Sequence, residues 1–218
     1  IIVAGRNLSD PKKAEIYAIS IAYYYAEHKV GLLAYNAVDP KYREYGLGRK
    51  MVDARIAALH DAAAERGDKL RAAFLEVNDP DKVGRDDSGM DPAKRVAIFQ
   101  KWGAKRIPVD YVQPALGPGK SKFRDEMLMA YPINGRYPAP SDVSAFIDAI
   151  YKYCSFGDDH TKDADYIETQ RQIKKWKGFD AQLRAEAKVL PFPASAGTDG
   201  KKTSVKKPAA VKGQRRFN

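Results

Sequence analysis

Apolar residues recur along this chain with two different periods. Between Glu15 and Glu27, Ile16, Ala18, Ser20 and Ala22 alternate with Tyr17, Ile19, Ile21 and Tyr23, so both faces of an extended segment are largely apolar. That pattern predicts a strand inside a sheet. His28-Lys29-Val30-Gly31 reads as a turn and Leu32 to Val38 as a second strand, closed by Pro40, which has no amide to donate. From Gly46 to Arg66 the period lengthens: Val52, Ile56, Leu59 and Ala63 share one helical face, and Gly67 stops the helix.

The alternation returns at Leu70 to Val77, a third strand, before a polar stretch from Asn78 to Met90. Asp91 and Pro92 suit the cap and first turn of another helix, which carries Val96, Phe99 and Trp102 and ends at Gly103. Ile107 to Val112 and Glu126 to Tyr131 read as two closing strands around the Pro/Gly-rich loop 114–120. A shorter helix is expected from Ser141 to Tyr153, and a long charged helical region from Asp163 to Lys188, interrupted at Gly178. Ile1-Ile2-Val3-Ala4 resembles a strand cut short, so the natural amino end is expected to lie further upstream. The order predicts an α/β (α+β) fold with a mixed central sheet flanked by helices. Three regions are expected: 1–138 as the main domain, 139–190 as a C-terminal helical extension and 191–218 as a basic, disordered tail.

The most informative local feature is Val38-Asp39-Pro40-Lys41-Tyr42-Arg43-Glu44-Tyr45-Gly46-Leu47-Gly48-Arg49. A strand, a short turn, Arg-x-x-Gly-x-Gly and then a helix make a phosphate cradle. Glycines admit close approach and positive φ, and the first amides of the helix point at an anion. A dinucleotide fingerprint needs a third glycine where Met51 stands, and a Walker loop needs Gly-Lys-Ser/Thr where Gly48-Arg49-Lys50 stands.

The loop resembles the pyrophosphate loop of the GNAT superfamily of acetyl-CoA-dependent N-acetyltransferases. A second element supports the resemblance: Phe99, three residues, then Gly103-Ala104, at the spacing of the family's aromatic, three residues and Gly-Phe. The resemblance covers about Glu15 to Tyr131. It implies a splayed pair of strands, one ending at Val38 and one containing Glu76, with pantetheine in the gap against the free backbone edge near Ala37 and Val38. Diphosphate is then expected on Arg43, Glu44, Tyr45, Gly46, Leu47, Gly48 and Arg49, with Phe99 also beside acetyl-CoA. An amide near Val38 would polarise the thioester carbonyl.

The implied reaction is acetyl transfer from acetyl-CoA to a primary amine by direct attack. Glu76 is the base candidate, because burial in an apolar strand raises a carboxyl's pKa toward a useful range. Many relatives carry a Tyr general acid where Phe99 stands, and Phe99 has no proton to give; Tyr111 is the weaker substitute. The departure favours an alternative, a catalytically weak acyl-CoA-binding sensor or interaction module. The acceptor, a small molecule or a protein amine, is not legible, because fold does not fix substrate.

Charge and cysteine refine this reading. Of the net charge of +10, the segment from Pro191 onward holds seven Lys/Arg and one Asp, hence +6, leaving the body nearly balanced. Nucleic-acid binding is therefore expected only non-specifically, through the tail. The single Cys154 cannot form an internal disulfide and shares a helical face with Val143, Ile147 and Ile150, as a packed thiol does. It suits a cytoplasmic protein. No apolar run is long enough to span a membrane. His28 and His60 read as surface residues, His160 lies outside the region of the resemblance, no His/Cys/Asp spacing suggests a metal, and a homodimer is an open expectation.

Overall fold

The computed structural model describes residues 1–84 and 90–181; the expectations for the basic tail, and for the helical region beyond 181, fall outside them. Six strands form one mixed sheet, in the order β1-β2-β3-β4-β6-β5. They are β1 (Ile2–Arg6), β2 (Glu15–Tyr25), β3 (Val30–Val38), β4 (Ala72–Asn78), β5 (Lys105–Arg106) and β6 (Glu126–Tyr131). The helices are α1 (Leu47–Ala64), α2 (Pro92–Lys101), α3 (Pro140–Cys154) and α4 (Ala164–Lys175). β1, β2 and β3 run antiparallel in sequence, β3 and β4 are parallel, and β6 is antiparallel to both β4 and β5.

Two apolar clusters lie on opposite faces of the sheet. One joins α1 and α2 to Leu33, Ala73, Leu75, Val77, Met127 and Met129. The other joins α3 and α4 to Val30, Leu32, Phe74 and Leu128, with Phe146 stacked on Phe74 at 4.5 Å between ring centres. The helices after Tyr137 therefore complete the second core. Cys154 is buried in it, where burial first, and Glu76 second, push the thiol up to about 11.

Two expectations change, and a bulge appears that no expectation covered. The outer face of β2 is open: Ile19 is 40% and Tyr23 is 44% exposed, because α3 and α4 cover the other half of that sheet face. Residues 107–112 form no strand. Lys105 and Arg106 pair with β6 and the Ile107 amide still donates to the Leu128 carbonyl at 2.9 Å, but Pro108 then removes a ladder donor. A register shift inserts an extra residue into β3, so that Tyr23 faces Leu32 while Ile21 faces Tyr35. This bulge turns Asn36 toward α1, where its amide nitrogen donates to the Gly48 carbonyl at 3.3 Å.

Candidate functional site

The sheet opens at one place. β3 and β4 pair only at Val30↔Ala72, Gly31↔Ala73 and Leu32↔Phe74. Beyond that, β3 follows β2 as far as Val38 and β4 follows β6 as far as Asn78, leaving a V-shaped gap. Its walls carry backbone donors and acceptors with no strand across from them, which an amide-bearing chain would satisfy. The Asp39 amide donates to the Tyr17 carbonyl at 2.9 Å. By the two-residue alternation of an antiparallel ladder, Ala37 turns its backbone groups to β2, and Asn36 and Val38 turn theirs to the gap. Of the two residues expected at the edge, Val38 thus turns its backbone groups to the gap and Ala37 turns its own to β2. Arg43 Nε already donates to the Val38 carbonyl at 3.3 Å.

At the mouth of the gap, residues Pro40–Tyr45 form a 3-10 turn capped by Asp39, whose carboxylate accepts from the Lys41 amide at 2.8 Å. Gly46 follows at φ 72°, the left-handed region that a side chain disfavours, and α1 starts at once. The Lys50 amide is the first to return to the Gly46 carbonyl, at 3.2 Å, and no side chain caps the amides of Leu47, Gly48 and Arg49. Among the described residues these three N–H groups are free, and at the positive end of an 18-residue helix they could hold an anion. Gly48 is needed for a different reason: a Cβ there would lie 2.8 Å from the Trp102 ring. Arg49 is committed elsewhere, to Asp53 at 2.9 Å and to the Trp102 carbonyl. Glu44 and Tyr45 are exposed.

Glu76 lies on the gap-lining part of β4, on the face shared with Ala72 and Phe74. Tyr111 donates its phenol proton to Glu76 Oε1, and Gln113 also hydrogen-bonds this carboxyl. Burial raises the Glu76 pKa against both bonds, and it raises Tyr111 too, with the Glu76 charge as the second cause. The two residues singled out as base and acid are direct partners. Glu126, the first residue of β6, sits on the same face of the sheet as Glu76. Burial first, and Glu76 second, push it up to about 8, and its Oε2 has no hydrogen-bond partner among the described residues. The signal available in the sequence was an acid alternating with Leu128 and Ala130.

Phe99 projects from α2 into the cluster on the opposite face, edge-on to Trp102 at 5.9 Å. His28 is not a plain surface residue, and it meets His160 at Asp148. Each imidazole is only 14% exposed and bonds Asp148 through Nε2, at 2.8 and 2.9 Å, and Tyr166 adds a third bond at 2.8 Å. This cluster ties the β2–β3 turn to α3 and α4. It borders a groove of about 710 Å³ that also touches Ser144, Gln170 and Lys174. His28 marks that groove as lying at the opposite end of β2 and β3 from the gap.

The strand order, the parallel pair that parts after three residues and the uncapped helix start at its mouth decide the architecture. The fold is GNAT-like. No protein-family model matches the chain, and no curated protein matches it. Among solved structures, the chain is similar to the ribosomal-protein-S18-alanine N-acetyltransferase of Escherichia coli, at 22% identity over 54% of this chain and 62% of that one, TM-score 0.35. A nourseothricin acetyltransferase is 16% identical over 54% and 58%, TM-score 0.36. The IAA acetyltransferase of Bacillus cereus is 14% identical over 54% and 70%, TM-score 0.35. The chain spans less than two thirds of the first two proteins. At these values no substrate or mechanism passes from them to this chain. The GNAT-like reading rests on the chain's own strand pairing and loop.

Proposed function

We propose that this chain is an N-acetyltransferase that moves an acetyl group from acetyl-CoA to a primary amine by direct attack in a ternary complex. The observation that carries the reading is the gap between β3 and β4, with the free amides of Leu47, Gly48 and Arg49 at its mouth and Glu76 on its wall. Diphosphate would sit on those amides and pantetheine would pair with the open backbone of Asn36 and Val38. The Arg43 side chain would yield the Val38 carbonyl to it.

Glu76 would then take the proton that the amine loses as its nitrogen bonds to the carbonyl carbon. Tyr111 and Gln113 would keep the carboxylate oriented by donating to it. The acceptor would approach from the side of the sheet that Glu76 faces, the side carrying the open surface of β2.

Phe99 favours one alternative, an acyl-CoA-binding module with little or no catalysis, because no phenol stands at that position. Free-thiol release from acetyl-CoA across a panel of polyamines, amino acids, aminoglycosides and a lysine peptide separates the two. Amine-dependent release supports the enzyme; binding of acetyl-CoA with no release for any amine supports the module.

A further inference from the structure

The two faces of the sheet are covered unequally. On the α1 side, Ala18 and Ser20 of β2 are buried, and Ala22 and Tyr24 pack into the cluster there. Alternation turns Ile19, Ile21 and Tyr23 to the other side, where the β2–β3 register sets Tyr35 beside Ile21 and Ala37 beside Ile19. β1 adds Val3, directly opposite Ile19. α3 and α4 leave these positions open: Val3 is 39%, Ile19 40%, Tyr23 44% and Tyr35 61% exposed.

This apolar patch runs into the gap. β3 parts from β4 after Leu32, so Tyr35 and Ala37 stand on the stretch of β3 that forms one wall. Tyr23 pairs with Leu32, a residue of the α3 cluster, and Tyr35 pairs two residues along β2, so both rings lie on that cluster's side. Glu76, paired with the buried Leu128 of the same cluster, faces that side from the opposite wall. An acceptor whose amine reaches Glu76 from this side therefore meets Tyr35.

The extent of the patch bears on the size of that acceptor. From β3 to β1 it crosses about 10 Å, and from Ile19 to Tyr23 about 13 Å. An amine carried on one ring covers a fraction of this surface. Single exposed apolar residues are ordinary, whereas a contiguous patch across three strands marks a place that another molecule covers. The phenols of Tyr23 and Tyr35 combine apolar area with a hydroxyl that can bond a peptide amide. A second copy of the chain seated here would close the Glu76 side of the gap, which the acceptor must enter.

We propose that the acceptor is a polypeptide whose amine enters the gap beside Glu76 while the bulky apolar residues next to that amine lie across Tyr35, Ile21, Ile19 and Tyr23. The proposal rests on the acetyltransferase reading above and names its substrate class. The patch touches no reacting atom. Its contribution is to binding the acceptor, and it acts on KM more than on kcat.

The test measures free-thiol release from acetyl-CoA by the full chain with short peptides that differ only in the residues next to the amine. An apolar set carries Leu, Phe or Tyr there, and a polar set carries Ser, Asn or Gly. Each peptide is made with a free amino terminus, and again with a blocked terminus and one lysine between the same residues, so the two arms separate the two kinds of peptide amine. In at least one arm the apolar set should exceed the polar set about tenfold in kcat/KM, mainly through KM. Tyr35→Ser and Tyr23→Ser should each remove most of that preference with acetyl-CoA affinity unchanged. Equal rates for the two sets, release with small amines alone, or an undiminished preference in both variants overturns the proposal and leaves the acetyltransferase reading standing. A wild-type dimer in sedimentation that Tyr35→Ser dissociates gives the patch to a second copy and overturns it in the same way. Acetyl-CoA binding with no release for any amine or peptide overturns that reading and the proposal together.

Discussion

The phenol of Tyr111 donates its hydrogen bond to Oε1 of Glu76, joining an irregular segment after β5 to the wall of the open gap. Glu76 thus has donors that favour its charged form, set against burial that disfavours it. Such a balance suits a group that must accept a proton and release it again.

Glu76→Gln keeps the shape and removes the basic oxygen. Turnover should fall by about 10²–10⁴-fold while acetyl-CoA affinity stays within about twofold. The activity that remains should lose the acidic limb of the wild-type pH–rate profile. Steady-state kinetics over pH with calorimetry of acetyl-CoA binding checks this, and a wild-type profile in the Gln variant would make Glu76 structural.

Glu126 gives a stability signature of definite sign. Its folded pKa is raised, from 4.5 to about 8, so the folded state prefers the protonated form. The stability tied to this proton is present at low pH and is lost as pH rises through about 8. Glu126→Gln has no proton to lose. Its melting temperature relative to wild type should therefore be higher at pH 9 than at pH 5. An equal difference at the two pH values would show that Glu126 titrates normally.

Asp148 behaves in the opposite direction. Burial would raise its carboxyl, but the bonds from His160, His28 and Tyr166 outweigh this and hold it at about 2. That stability is present above its ordinary pKa and is lost as pH falls through about 2. At neutral pH, Asp148→Ala leaves three donors without their acceptor and should cost about 1–3 kcal/mol. Chemical denaturation at pH 7 measures it, and a loss below about 0.5 kcal/mol would be an ordinary surface effect.

Gly46→Val tests the anion loop. A β-branched residue at φ 72° costs about 1–2 kcal/mol locally. No atom of the described residues lies within 4 Å of the position a Cβ would take, so the rest of the fold should hold. Acetyl-CoA affinity should fall at least tenfold, read by calorimetry on the folded variant. Unchanged affinity would remove the loop from the site.

Much of this molecule was legible because its signals are local. Alternation at Glu15 to Tyr25 and Ala72 to Asn78, the four-three-four steps of Val52, Ile56, Leu59 and Ala63, and Gly46 ahead of a helix each depend on neighbours a few residues apart. Pro108 is equally local, and its missing donor stops the ladder short of the strand expected over Ile107 to Val112. What only the tertiary structure decided depends on distant residues meeting. The bulge that turns Asn36 toward α1 and Ala37 toward β2 arises between paired strands, and a shift of one residue exchanges the faces. Asp148 gathers His28 and His160 from segments that share no periodicity. Glu126 acquires its raised pKa from burial beside Glu76, and Arg55, an ordinary residue on an amphipathic helix by sequence, becomes a buried cation with no counter-charge among the described residues. Burial and pairing are properties of the packed chain, because desolvation depends on everything that surrounds a group and not on its neighbours in sequence.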